Sequence, residues 1–167
     1  MVLADETEID ATVVLRDKDW DMAFIRPTQK LAKSLVSADL KSPAQPQIMD
    51  DIVIVNRLGK VANHVPAGIA SKISAVVAKP RLFYVPQTED MELKGTPVFT
   101  MDKKFVGVIL LRSVDTQSGG GLTAMLGGAE GLGISLIILP AAEILEASKQ
   151  AVAEPKVAST GATTKDK

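Results

Sequence analysis

The chain has 167 residues, 46% of them apolar and 23% charged, with a formal net charge of −1, no cysteine and a single histidine. Length and apolar content predict one domain, or little more, with a buried core in place of wholesale disorder. The absent cysteines exclude disulfides, iron–sulfur clusters and cysteine-based zinc sites, the lone histidine excludes a multi-histidine metal site, and the balanced charge argues against a nucleic-acid module or a membrane-surface binder.

The chain opens on an acidic segment in which Asp5, Glu6, Glu8, Asp10, Asp17, Asp19 and Asp21 face only Arg16 and Lys18. These carboxylates lack the spacing and the glycine of a calcium loop, so they read as a solvated face. Its start has neither the basic region nor the apolar run of a signal peptide. Residues 11–17 (ATVVLRD) read as a strand with Ala11, Val13 and Leu15 on one side. Residues 17–21 form a polar turn, and Met22, Ala23, Phe24 and Ile25 give a second short strand closed by Pro27. Leu31, Leu35 and Leu40 are too widely spaced to specify an element over residues 28–40. Residues 41–47 (KSPAQPQ), with two prolines and no apolar anchor, read as a semi-extended linker.

A series of short apolar runs follows, at residues 51–55, 68–77, 81–85, 96–100, 104–111 and 133–139. Most are rich in Val and Ile and bounded by turn residues, the pattern of an all-β barrel or sandwich. Residues 101–104 are a hairpin turn by position. His64 sits between two of the strands and reads as a solvated loop residue. Residues 113–133 form a glycine-rich loop without a phosphate signature: GGAEGLG at 127–133 has the wrong spacing for a dinucleotide fingerprint, and Gly59 and Lys60 are followed by Val61. The longest uncharged apolar stretch, residues 131–142, falls short of the roughly 20 residues a membrane span needs and contains Pro140. Pro140 suits the first position of a helix over residues 141–152, with Ile144, Leu145 and Ala147 toward a partner and Glu143, Glu146 and Lys149 toward water. Residues 153–167, rich in Ala, Thr and Lys without periodicity, read as a disordered tail.

Taken in order, these segments resemble the trypsin-like serine proteases, and the HtrA/Deg branch in particular. TVVLRDKDWDMAFIRP at 12–27 is similar to the family's strand, turn and Asp-Leu-Ala segment, whose aspartate is the triad acid; Asp21 falls on it. DIVIVNRLG at 51–59 resembles the strand that opens the second barrel, and VPAGIASKI at 65–73 the strand after it. ELKGTPVFTMDKKFVGV at 92–108 resembles the nucleophile loop, Gly-Asn-Ser-Gly-Gly-Pro, with its following hairpin. GLGISLIILP at 131–140 matches a Gly-hydrophobic-Gly-Phe-Ala-Ile-Pro strand, followed in both by a helix. The resemblance covers roughly residues 2–150. It implies a mainly β fold: a partial first barrel over 1–40, a linker over 41–50, a complete antiparallel second barrel over 51–140, a C-terminal helix over 141–152 and the tail over 153–167.

The departures from the family pattern carry the functional reading. Aligned on Pro97, Lys94 takes the place of the nucleophilic serine, Leu93 that of the asparagine, Glu92 that of the first glycine, and Gly95 and Thr96 those of the following two glycines. The mechanism needs a hydroxyl deprotonated by a histidine and backbone N–H groups that hold the oxyanion. Lysine has no hydroxyl, and Glu92 puts a side chain where the family uses glycine. His64 follows Asp21 in the chain, whereas the family's histidine precedes its aspartate; the family's histidine motif would lie upstream of Met1. Asp21 is the retained triad position, and without a histidine it reads as a turn residue ahead of a strand. Ser71, Ser74 and Ser118 do not precede a Gly-Gly-Pro-like turn.

The expected function is thus that of a catalytically inactive trypsin-like homologue without cofactor or metal. In the family, extended substrate pairs with the strand matching Gly131, Leu132, Gly133, Ile134 and Ser135, and that edge can bind peptide without the catalytic groups. The alternatives are a fragment of an active serine endopeptidase lacking its histidine-bearing segment, and a purely structural β-domain. By resemblance the location is extracytoplasmic if the chain is truncated at its start and cytoplasmic otherwise, and a PDZ-type domain could follow the tail. No nucleic acid or membrane span is expected. Half a barrel leaves strand edges unpaired, which predicts a homo-oligomer or poor solubility; light scattering that found a clean monomer at high concentration would count against it.

Overall fold

Runs of Val and Ile with period-two patterning become strands because branched side chains pack well on a pleated surface. The computed structural model describes residues 1–3, 7–31, 34–113 and 134–153. β1 (Ala11–Asp17) and β2 (Met22–Pro27) pair as an antiparallel hairpin. β3 (Asp51–Arg57), β4 (Pro66–Val77), β5 (Phe83–Pro86), β6 (Pro97–Thr100), β7 (Phe105–Ser113) and β8 (Ile134–Pro140) close a barrel in the order β3-β4-β5-β8-β7-β6, every pair antiparallel. Closure removes the free edges that an open sheet would expose. The helix α1 (Ala141–Ala153) begins at the residue after β8.

The barrel interior is filled by Ile52 and Ile54 from β3, Ile73 from β4, Tyr84 from β5, Val98 from β6, Val106 and Ile109 from β7, and Leu136 and Ile138 from β8, joined by Leu93. A second layer covers the outside of one wall, where Trp20 packs with Phe83, Val85, Phe105, Leu110, Ile137, Leu139 and the α1 residues Ala141 and Ile144. β8 is therefore buried on both faces, Leu136 and Ile138 inward, Ile137 and Leu139 outward. This is why residues 136–139 of β8 are a continuous apolar run, whereas the polar Ser71 and Ser74 interrupt β4. Between β7 and β8 the backbones leave no room for a side chain: a Cβ on Gly107 would lie 1.9 Å from the carbonyl oxygen of Leu139.

The β1–β2 hairpin is held to this wall by its turn. The Asp17 carboxylate accepts hydrogen bonds from the amides of Asp19 (3.0 Å) and Trp20 (3.2 Å), a side-chain cap that tightens the turn. Trp20, only 7% exposed, enters the outer layer, and Met22 and Phe24 of β2 pack against the same cluster. Arg26 of β2 donates from Nη2 to the carbonyl of Ala151 at 3.2 Å, satisfying an acceptor in the last turn of α1.

Val2 makes an isolated bridge to Glu8. Two sequence expectations are corrected. The segment 41–47 does have an apolar anchor: Ala44 is buried in the barrel core and its amide donates to the carbonyl of Phe105 at 2.9 Å. A single methyl suffices there because the backbone bond brings it into the core. Pro140 ends β8 and precedes the helix instead of starting it. The stretch 114–133 of the glycine-rich loop and the tail from residue 154 lie outside the described residues.

Replacing Gly107 by alanine is expected to destabilise the fold by about 3 kcal/mol, because the backbones of β7 and β8 must part. Gly68→Ala, whose Cβ would meet only Val53 Cγ1 at 3.7 Å, is expected to be near neutral. Urea unfolding of the two variants checks the contrast.

Candidate functional site

The segment that resembles a nucleophile loop is a single 3-10 turn, Met91–Leu93, running into β6. Asp90 caps it: its Oδ1 accepts from the Glu92 amide at 3.0 Å. Leu93, 1% exposed, is inserted in the barrel core and pins the turn from below. The chain then reverses at Gly95, whose φ of +83° is a left-handed value that costs glycine little. The Leu93 amide donates to Asp90 O at 3.2 Å, the Lys94 amide to Met91 O at 3.4 Å, the Gly95 amide to Ile109 O at 2.8 Å, and the Thr96 amide to Leu93 O at 3.1 Å. The Thr96 hydroxyl also donates to Leu93 O, at 2.5 Å. Each amide from Glu92 to Thr96 therefore has an acceptor within the protein.

Lys94 projects from this turn to the tip of the β1–β2 hairpin, where Nζ lies 2.6 Å from Oδ2 of Asp21. The two residues are 73 positions apart in the chain. Asp21 stands at the end of the Trp20 turn with φ of 47°, a left-handed conformation that aspartate tolerates better than most side chains. Its carboxyl is held below the usual carboxylate range by the hydrogen bond from Lys94 first and by the lysine charge second. The side chains stay 42% and 74% exposed, so solvent screens the pair and it adds little to stability. The two positions that the resemblance assigns to triad acid and nucleophile are therefore in direct contact. The turn that leads to Asp21 is capped by Asp17 and not by Asp21 itself.

His64 is elsewhere, exposed in the β3–β4 connection with φ of 53°. Among the described residues no hydrogen bond or ion pair joins it to Asp21 or Lys94. Of the residues expected to bind peptide, Gly131, Leu132 and Gly133 lie outside the described residues. Ile134 and Ser135 begin β8, where they pair with Ser113 and Arg112 of β7. β7 accompanies β8 along its whole length, but β5 pairs with it at Tyr84 and Ile138 alone. On the β5 side, residues 134–137 have no ladder partner among the described residues.

Sequence reasoning missed the cations around Trp20. Arg112 and Arg81 place their guanidinium carbons 5.2 Å and 5.8 Å from the Trp20 ring centroid, within cation–π range. The available signal was the chain's single tryptophan standing in an otherwise polar turn. Among the described residues no group of three or more His, Cys, Asp or Glu side chains is placed to hold a metal ion, and no helix is long and apolar enough to cross a membrane.

No protein-family model and no curated protein matches the chain. Among solved structures it is similar to the crystal structure of the MamO protease domain from Magnetospirillum magneticum in its apo form. The TM-score is 0.56 at 14% identity, over 83% of this chain and 67% of that one. At this identity the likeness establishes the fold: a mainly β chain with a closed antiparallel barrel of the trypsin-like protease type and a C-terminal helix.

Because its folded-state pKa is depressed, Asp21 contributes stability that is present above its ordinary value near 3.8 and is lost as pH falls through the folded value. Lys94→Met is expected to return the Asp21 carboxyl toward that ordinary value, and high salt to do so in part in the unaltered protein. Carboxyl-carbon NMR titration of Asp21 in both proteins checks this.

Proposed function

We propose that the chain is a trypsin-like serine protease homologue of HtrA/Deg type that lacks peptidase activity and retains a peptide-binding strand edge. The observation that carries the loss of activity is the Lys94–Asp21 ion pair. Acyl transfer needs a hydroxyl at position 94, an imidazole to take its proton, and a carboxylate to orient that imidazole. Here the carboxylate is bonded directly to an ammonium from the nucleophile position. An ammonium has donors only and no lone pair with which to attack a carbonyl.

The oxyanion donors argue the same way. By the resemblance they would be the amides of Glu92 and Lys94, and both are engaged within the turn, by Asp90 Oδ1 and Met91 O. A donor already bonded to a protein acceptor is not pre-organised toward a developing charge. In this reading β3–β8 form the second barrel over 51–140, and the β1–β2 hairpin belongs to what the family builds as its first barrel, over 1–40.

Peptide binding is supported by the ladder of β8. The edge expected to take peptide, Gly131, Leu132, Gly133, Ile134 and Ser135, ends in the first two residues of β8, which β5 does not pair among the described residues, and an extended chain bonding to main-chain groups there would act by β-augmentation. Binding would then rest on the main chain and be independent of the nucleophile.

A fluorophosphonate probe, which reacts with activated serines, is expected to leave the protein unlabelled. Lys94→Ser is expected not to restore labelling, because the chain's one histidine is not at the site. Covalent labelling of the unaltered protein would overturn the reading.

A further inference from the structure

Closure of the barrel leaves one open sheet among the described residues, the β1–β2 hairpin. An open edge presents unpaired N–H and C=O groups to any strand that meets it. Such edges are shielded by a bulge, a proline, a charge or a covering element. β1 has two of these: its ladder shifts register between Val13 and Leu15, and α1 lies against it. β2 has none of them over residues 22–25. Pro27 stands at its far end, and its one charged residue, Arg26, is bonded to the carbonyl of Ala151.

The ladder fixes which groups that edge offers. The Thr28 amide donates to the Asp10 carbonyl at 3.0 Å. Main-chain groups of successive residues in a strand point to alternate sides, so Arg26, Phe24 and Met22 also bond toward β1, while Ala23, Ile25 and Pro27 turn theirs outward. Side chains alternate as well. Met22 and Phe24 pack on the barrel wall, so Ala23 and Ile25 face away from it. Ile25 is 52% exposed beside its cross-strand partner Val13, at 46%. Among the described residues no strand other than β1 pairs with β2.

We propose that this edge joins two copies of the chain, with β2 pairing antiparallel to β2 of the second copy across a two-fold axis. A strand paired antiparallel with itself is symmetric by construction, so one contact satisfies both edges and the assembly closes as a dimer. A foreign extended peptide would instead leave its own outer edge open. With Ile25 at the axis, the two Ile25 amides donate to each other's carbonyls, and each Ala23 amide donates to the Pro27 carbonyl of the other copy. Proline has no amide, and in this register it is needed as an acceptor. The exposed isoleucines come side by side, each backed by Val13, as apolar cross-strand neighbours. Arg26 falls opposite Phe24, so like charges do not meet. This surface shares no residue with the Lys94–Asp21 pair or with the β8 edge, so the proposal stands or falls separately from the proposed function.

Sedimentation equilibrium of the full chain gives the dimer dissociation constant, and amide hydrogen exchange read by NMR locates the interface. The Ala23 and Ile25 amides are expected to exchange more slowly as protein concentration rises, and the Val13 amide, which turns to the shielded side of β1, to be unaffected. Ile25→Lys puts a charge at the axis and is expected to raise the dissociation constant by about tenfold or more. Ile25→Pro removes the outward amide, a change that an edge strand tolerates, and is expected to do the same. Ile25→Val is expected to keep the dimer. Trp20 is the only tryptophan, so unchanged emission shows that the hairpin of each variant is still docked. Exchange is read on the unaltered protein, so it decides whether or not a variant folds. A monomer at every concentration overturns the proposal. So does a dimer in which the Ala23 and Ile25 amides exchange as fast as in the monomer, or one that both Ile25→Lys and Ile25→Pro retain.

Discussion

The site depends on the burial of one side chain, the indole of Trp20. A two-stranded hairpin has too little surface to hold itself on a barrel by its edges. Here the turn capped by Asp17 drives a large aromatic ring into the layer formed by Phe83, Leu110, Ile137 and Ile144. Such a ring carries more apolar area than any other residue of the hairpin, and its removal from water contributes most to holding the two parts together. Because Asp21 is the next residue, its position follows from the tryptophan. The contact with Lys94 and the convergence of Arg81 and Arg112 follow in turn.

The barrel supplies the other half of the geometry by similar means. Leu93 is a core residue that happens to lie in a turn, so the turn is fixed by burial and not by its own hydrogen bonds alone. Lys94 is then presented outward at a defined place. The ion pair it makes is a consequence of this arrangement and not its cause, since both partners remain largely in water. The same turn places its amides on local acceptors, which is the low-energy state for backbone donors when no ligand competes for them.

Burial on both faces explains why β8 occupies a special place. Its inward residues complete the barrel and its outward residues carry the hairpin and α1. It is paired along one side and only at Ile138 along the other. The close approach of β7 at Gly107 is the counterpart of this, since no side chain fits between the strands there.

Much of this was legible in the residues, for reasons that are local. β1 begins and ends where the β-branched run ATVVLRD does, and α1 starts where Pro140 ends an apolar strand and the period changes. Strand period, turn chemistry and proline stereochemistry act over a few residues and can be read from them. That Lys94 stands where the resemblance would place a serine is likewise a matter of residue identity. The Ala44 anchor was missed because an alanine between two prolines carries no periodic signal, and its burial is decided by the amide bond to Phe105. That Lys94 reaches Asp21, that two arginines meet at Trp20, and that β5 pairs with β8 at Ile138 alone among the described residues were decided only by the tertiary structure. Each joins elements far apart in the chain, and such contacts are set by how the hairpin, barrel and helix share one buried layer, not by any pattern within a single segment.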